Sequence, residues 1–269
     1  MSATDSIQQV GPYTLYGMTE DQGLLIWTLL DNLAQALQPV IKNANRTKPD
    51  GTPKPGPAFT TFFKDADNMS FVAALLSNVT TGASVVPPTD PPAPWQWITT
   101  SGSPVFVSLT RPGQFRLNDG TGPVDVIDYC KGTRVAFTVD MTPPFPFIFI
   151  CPFFWNGTTA HIAGDLPPTS VNGKPAPNCP RVNSAKTRFE PTHTAINQLG
   201  FPTPGQALGY ELVEYRMWYL LEELAHHYTY IARGHSSDHY DINAAMLLPA
   251  RFALENAPSY TYYAAGKSS

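Results

Sequence analysis

The stretch from Leu221 to Asp241 constrains this chain more than any other part of it. It opens with Leu221-Glu222-Glu223-Leu224-Ala225-His226-His227 and resumes at Gly234-His235-Ser236-Ser237-Asp238-His239-Tyr240-Asp241. Four of the six histidines lie between positions 226 and 239, together with Glu222, Glu223, Asp238 and Asp241. Imidazoles and carboxylates are the main metal ligands other than thiolates. A cluster of them, part on a helix and part on the loop after it, reads as a metal site. On a helix, residues i and i+4 share a face, so Glu222 and His226 point the same way and Glu223 sits about 100° further round.

The helix carrying this motif is expected over residues 206–232, ending at Gly234 in the position a helix-ending glycine prefers. Another is expected over 241–255, bent or interrupted at Pro249. Near the N-terminus, Thr19-Glu20-Asp21-Gln22 is a capping box, and Leu25, Leu29, Leu33 and Leu37 follow at helical spacing. That helix should end or kink at Pro39, and a second helical region should cover 58–80. Residues 43–56 read as a polar loop and 85–94 as a proline-punctuated linker. Short β-rich runs follow at 105–109, 124–127 and 134–139, and Phe147-Ile148-Phe149-Ile150-Cys151 reads as a strand buried on both faces. Residues 156–204 read as a long loop. Helices, then strands, then helices indicate one α+β domain over 1–269: a mostly helical part (1–100), strands (101–155), the long loop (156–204) and the site helices (205–269).

At 269 residues the chain can bury a substantial core, and its 42% apolar share is that of a globular protein. A net charge of −4 gives no basic face for nucleic acid, and no run of about 18 apolar residues suggests a membrane span. Twenty-eight prolines, only 14% charged residues and four N-x-S/T sequons (Asn45, Asn68, Asn78, Asn156) fit a secreted protein. The first residues lack a signal peptide's basic patch and apolar core, so the expectation is a mature form behind an added Met, with a cytoplasmic location as the alternative. Cys130, Cys151 and Cys179 allow one disulfide with a leftover thiol, or three free thiols.

The motif helix also carries a family resemblance. Leu220-Leu221-Glu222-Glu223-Leu224-Ala225-His226 matches L-L-H-E-L-x-H with one substitution, Phe149-Ile150-Cys151-Pro152-Phe153-Phe154 matches an upstream C-P-x-F-F-like turn, and Leu254-Glu255-Asn256-Ala257-Pro258-Ser259-Tyr260 resembles a closing N-A-D-S-Y segment. Over residues 140–269 the chain thus resembles the deuterolysin-type fungal metallopeptidases, the aspzincins. The resemblance implies a zincin-like fold with N-terminal helices, a small mixed or antiparallel sheet and a C-terminal metal-site helix. It implies a zinc endopeptidase acting on peptide or protein, with Glu223 as general base. Glu222, His226 and Asp238 would be the ligands and Tyr240 an oxyanion stabiliser.

The departures are specific. Glu222 stands where the family has its first histidine ligand. Registered on Gly234, the family's aspartate falls on Ser237; slipped by one, it falls on Asp238. Two carboxylates neutralise a divalent ion, so bound water is acidified less and Mn²⁺ competes better with Zn²⁺. Without metal, a buried Glu222 would protonate or pair with a base such as Arg216 or Arg233. The rival reading is a catalytically inactive descendant whose cleft binds a peptide, glycan or small ligand, and a third keeps the metal but runs another reaction. A Glu-Glu and His-His alone would read as a solvated helix face. The E-x-x-H spacing also occurs in di-iron bundles, but those need two such motifs. His235 and His239 are candidate substitute ligands or solvent-facing, and His161 and His193 read as structural. Oligomeric state has no signature here.

Overall fold

The computed structural model describes residues 7–82, 104–118, 122–131, 134–139, 147–156, 170–171, 174–175, 210–234, 236–240 and 242–266. The expected 85–94 linker, most of the 156–204 loop, and Cys179, His161, His193, His235 and Asp241 lie outside them.

Two strands not anticipated from sequence begin the fold. β1 (Ile7–Val10) and β2 (Tyr13–Tyr16) pair antiparallel, turning at Gly11 with φ 55°. A Cβ at Gly11 would come within 2.8 Å of the Trp27 ring, so the turn needs glycine for both conformation and space. α1 (Glu20–Ala44) starts as the capping box requires. Gln22 N–H donates to Thr19 Oγ1 (3.2 Å), and Thr19 N–H donates to the Gln22 side chain (2.9 Å). The helix does not stop at Pro39 but runs on to Ala44. Proline removes one backbone bond, and burial of Val40 and Ala44 beyond it keeps the last turns on the core. α1 is long and apolar enough to cross a membrane by composition, yet its apolar stripe is packed inside the molecule.

The expected 58–80 helix is two helices, α2 (Pro57–Phe63) and α3 (Met69–Thr81). The break is Lys64, which takes φ 62° although it is not glycine. Its Nζ donates to the carbonyls of Thr61 and Met246, holding the turn from two sides. β3 (Val105–Ser108), a β4–β5 ladder (Arg116–Asn118 with Pro123–Asp125) and a 3₁₀ turn at Val126–Tyr129 follow. Then come β6 (Ala136–Thr138), β7 (Phe147–Ile150) and the short α4 (Pro152–Asn156). The run at 124–127 is therefore part ladder and part 3₁₀ turn, outside the main sheet.

The main sheet has the order β1-β2-β3-β7-β6. β2, β3 and β7 are parallel, while β1 and β6 run antiparallel at the two edges. The molecule is thus α+β with a small mixed sheet. β7 is buried along its whole length, as its continuous apolar run predicts. Alternate residues feed two cores. Phe106, Ile148 and Ile150 face the helices, whereas Val105, Val107, Phe147 and Phe149 join Phe115 and Phe137 on the other side. Cys130 and Cys151 form a disulfide, which ties the 3₁₀ turn to the end of β7.

The helical layer centres on α5 (Tyr210–Arg233), followed by α6 (Ile242–Leu247), α7 (Ala250–Ala253) and α8 (Ala257–Gly266). α5 ends at Gly234 (φ 72°), whose N–H donates to Tyr230 O, and the chain breaks again at Pro249, both as anticipated. α5 packs on α1, α3, α8, β6 and β7 and buries Trp218, Leu221, Leu224 and Tyr228. An aromatic group of Phe59, Phe63, Tyr260 and Tyr263 joins α2 to α8.

Phe63 is fully buried at the centre of that group. Phe63→Ala is expected to cost about 3–5 kcal/mol, read as a lower urea midpoint in a single transition. An unchanged midpoint would contradict this packing.

Candidate metal centre

α5 turns its two polar corners toward the β6 edge of the sheet. Glu222 and His226, one helical turn apart, share a face, and Asp238 reaches them from the loop after the helix. A ligand atom of each lies within 4.8 Å of the other two. Asp238, not Ser237, is the loop carboxylate brought to the helix. Ser237 is held by backbone: its N–H donates to Glu255 O (2.8 Å) and its carbonyl accepts from Ala257 N–H (3.2 Å). Asn256 completes the clamp, its side-chain oxygen accepting from His239 N–H at 2.7 Å and its amide donating to Ser259 Oγ at 2.8 Å. Tyr260, buried, donates to Leu254 O (2.9 Å). The closing segment thus fixes the loop that presents Asp238.

His226 is oriented from both ring nitrogens. Nε2 faces Asp238 Oδ1 at 2.7 Å, and Nδ1 lies 2.7 Å from Ser236 Oγ. Ser236 Oγ donates onward to Glu255 O (3.4 Å), so it accepts from Nδ1–H. That bond leaves Nε2 as the nitrogen directed at the carboxylates, the arrangement a metal-binding histidine uses. Thr229 Oγ1, 3.3 Å from Ser236 Oγ, closes the pocket behind it.

Glu223 points to the sheet. Thr138 Oγ1 on β6 donates to Glu223 Oε2 (2.8 Å) and reaches the Glu223 backbone carbonyl (3.1 Å). Tyr240, half-exposed, has its hydroxyl within hydrogen-bonding reach of Glu222 and Asp238. Its backbone carbonyl is held by the Tyr262 hydroxyl. Thr138, Glu223, His226, Asp238 and Tyr240, together with Tyr129, Arg134 and Phe137, line a cleft of about 340 Å³.

The electrostatics are those of crowded, dry carboxylates. Burial, then the charges of Glu223 and Asp238, push the Glu222 carboxyl well above its ordinary value, with His226 pulling the other way. Burial also raises Glu223, against His226 and the Thr138 bond. For His226, burial opposes the charged form. The Asp238 hydrogen bond and the charges of Glu223, Asp238 and Glu222 outweigh it and raise the pKa from 6.5 to about 9. For Asp238, burial is outweighed by the hydrogen bond and charge of His226, and its carboxyl is lowered. Burial and the three carboxylates raise Tyr240, which stays a neutral donor.

This donor set fits a divalent cation. Glu222 Oε2 is buried without a hydrogen-bond partner among the described residues, and such an oxygen is costly unless a cation or proton meets it. Two carboxylates and one imidazole, with an approach from the cleft, suit Zn²⁺ or Mn²⁺. Neither Arg216 nor Arg233 is among the main charges acting on Glu222. Arg233 instead pairs with Glu255 (3.2 Å), and Arg216 lies over the Phe154 ring. His239 is exposed, and His227 is buried against Tyr228. Trp218 and Tyr228 are core, Tyr219 packs against it, and Tyr230 is partly buried.

Sequence reading missed Thr138, Ser236 and Arg134. Ser236 sits two residues before Asp238, a spacing that offered the only local hint. Thr138 lies 85 residues from Glu223, and no short-range pattern links them. A scan against protein-family models matches none, and no curated protein matches the chain.

A histidine whose folded pKa exceeds its unfolded value contributes stability that is complete below about pH 6.5 and lost as pH rises through about 9. Glu222 and Glu223, raised as well, act in the same direction. The metal-free protein should therefore melt at progressively lower temperature from pH 6.5 to 9, with His226→Gln flattening the decline in differential scanning fluorimetry. A melting temperature that climbs over this window would contradict the assignment.

Proposed function

We propose that this chain is a divergent, zincin-like metal-dependent endopeptidase of the deuterolysin type. The observation that carries the reading is Glu223, held by Thr138 on the wall of an open cleft that His226 and Asp238 also line, beside the group these two form with buried Glu222. Glu222, His226 and Asp238 would hold the ion, Zn²⁺ or Mn²⁺. When bound, such an ion supplies Lewis acidity toward a carbonyl oxygen and water.

The chain's own groups cover the remaining work. Thr138 fixes Glu223 Oε2 and leaves Oε1 to take a proton from water and pass it to the leaving amine. The raised pKa of Glu223 suits both halves of that transfer. Tyr240, neutral and facing the cleft, donates to the oxyanion that forms at the scissile carbonyl. β6 ends the sheet, and no strand covers its outer edge among the described residues. An extended peptide laid there would gain backbone hydrogen bonds close to Glu223.

One observation favours the rival reading, a ligand-binding cleft without catalysis. The direct His226–Asp238 pair satisfies both groups with no cation present.

Glu223→Gln separates the two. With Zn²⁺ or Mn²⁺ added, casein or peptide hydrolysis should fall by about 100-fold or more, while metal content stays unchanged. Turnover equal to that of the unaltered chain would refute Glu223 as the base. No turnover in either protein, with metal bound, would favour the binding role.

A further inference from the structure

The same cleft is lined by a cation that the mechanism above does not use. Arg134 lies between the disulfide-tethered 3₁₀ turn and β6, and its side chain is exposed at the cleft wall. The guanidinium carbon sits 5.8 Å from the centre of the Phe137 ring. Phe137 in turn stacks on Phe149 (5.2 Å) and tilts against Tyr129 (5.8 Å). Tyr129 precedes Cys130, whose bond to Cys151 fixes this wall to β7. The guanidinium thus rests on an anchored aromatic platform, which limits its freedom while its donor edge stays available. No ion pair to Arg134 forms among the described residues. It is also the one permanently positive side chain among the described residues lining the cleft.

We propose that Arg134 receives a substrate carboxylate, so that the cleft selects peptides bearing an acidic side chain or a free C-terminus near the bond to be cut. This rests on the peptidase reading and names its substrate class. A cleft walled by Glu223 and Asp238 repels anions, so an anionic peptide needs a compensating cation. A planar fork of donors held over an aromatic ring matches a carboxylate with two parallel hydrogen bonds. Arg134 also acts electrostatically on Asp238, so a merely structural role is the alternative the test must separate.

Labelled peptides differing only as Glu or Gln, each with a free or amidated C-terminus, are titrated against the full-length Glu223→Gln chain with Zn²⁺ present. Binding is read by fluorescence anisotropy, and hydrolysis of the same peptides by the unaltered chain is followed in parallel. The carboxylate-bearing peptide should bind about tenfold tighter than its neutral twin. Arg134→Ala should abolish the ratio, Arg134→Glu invert it, and Arg134→Lys retain part of it. A ratio set by Glu against Gln identifies a side chain as the source, and one set by amidation identifies the terminus; both support the proposal. Equal binding of all four peptides, or variants that weaken all four by one common factor, would overturn it. Selective binding without hydrolysis would sink the peptidase reading and leave the Arg134 assignment standing. Hydrolysis without selectivity would do the reverse.

Discussion

The structure depends on how it neutralises three acidic groups gathered around one imidazole. Glu222 and Glu223 sit on the central helix of the helical layer, surrounded by Leu220, Leu221, Leu224 and Ala225, all fully buried. Removing an ionised carboxylate from water costs several kcal/mol even after relaxation. An ordinary core would not place two in succession. With His226 and Asp238 added, the group needs positive charge beyond the pull of Arg134 on Asp238, and protons or a bound cation can supply it. The proton between His226 and Asp238 is one solution, and a divalent ion held by Glu222, His226 and Asp238 would be another.

The rest of the fold holds that cluster in place. The sheet is parallel in its middle and antiparallel at the β6 edge, which brings Thr138 against Glu223. The loop after α5 is short, and residues 255–257 grip it through backbone bonds to Ser237 and the side chain of Asn256. Asp238 is therefore fixed by the C-terminal segment, which is itself anchored through Phe63, Tyr260 and Tyr263 to α2. The disulfide anchors the segment around Tyr129 and Arg134, which also lines the cleft. Elements far apart in sequence each fix one side of the cleft, and none could do so alone.

Much of this was legible in the chain because it follows from local periodicity. The capping box at Thr19, the helix-ending Gly234, the interruption at Pro249 and the buried strand at 147–150 each depend on nearest neighbours. The pairing of Glu222 with His226 follows from helical geometry alone. Non-local features were not legible. Choosing between Ser237 and Asp238 required the bridge to Asn256, nineteen positions from Ser237. Lys64 breaks a helix with neither glycine nor proline to announce it, because the stabilising partner is Met246 O on a distant segment. Pro39 failed to end α1 because packing outweighed the lost bond. The β1–β2 hairpin went unread because two strands of four residues offer too short an alternation to stand out.

If Glu222, His226 and Asp238 together hold one divalent ion, the purified protein carries it. Plasma mass spectrometry on untagged protein, purified without chelators, tests this most directly. About one equivalent of zinc or manganese per chain is expected, lost in His226→Ala. Protein that is metal-free as purified, and stays so after incubation with Zn²⁺ and Mn²⁺, would contradict it.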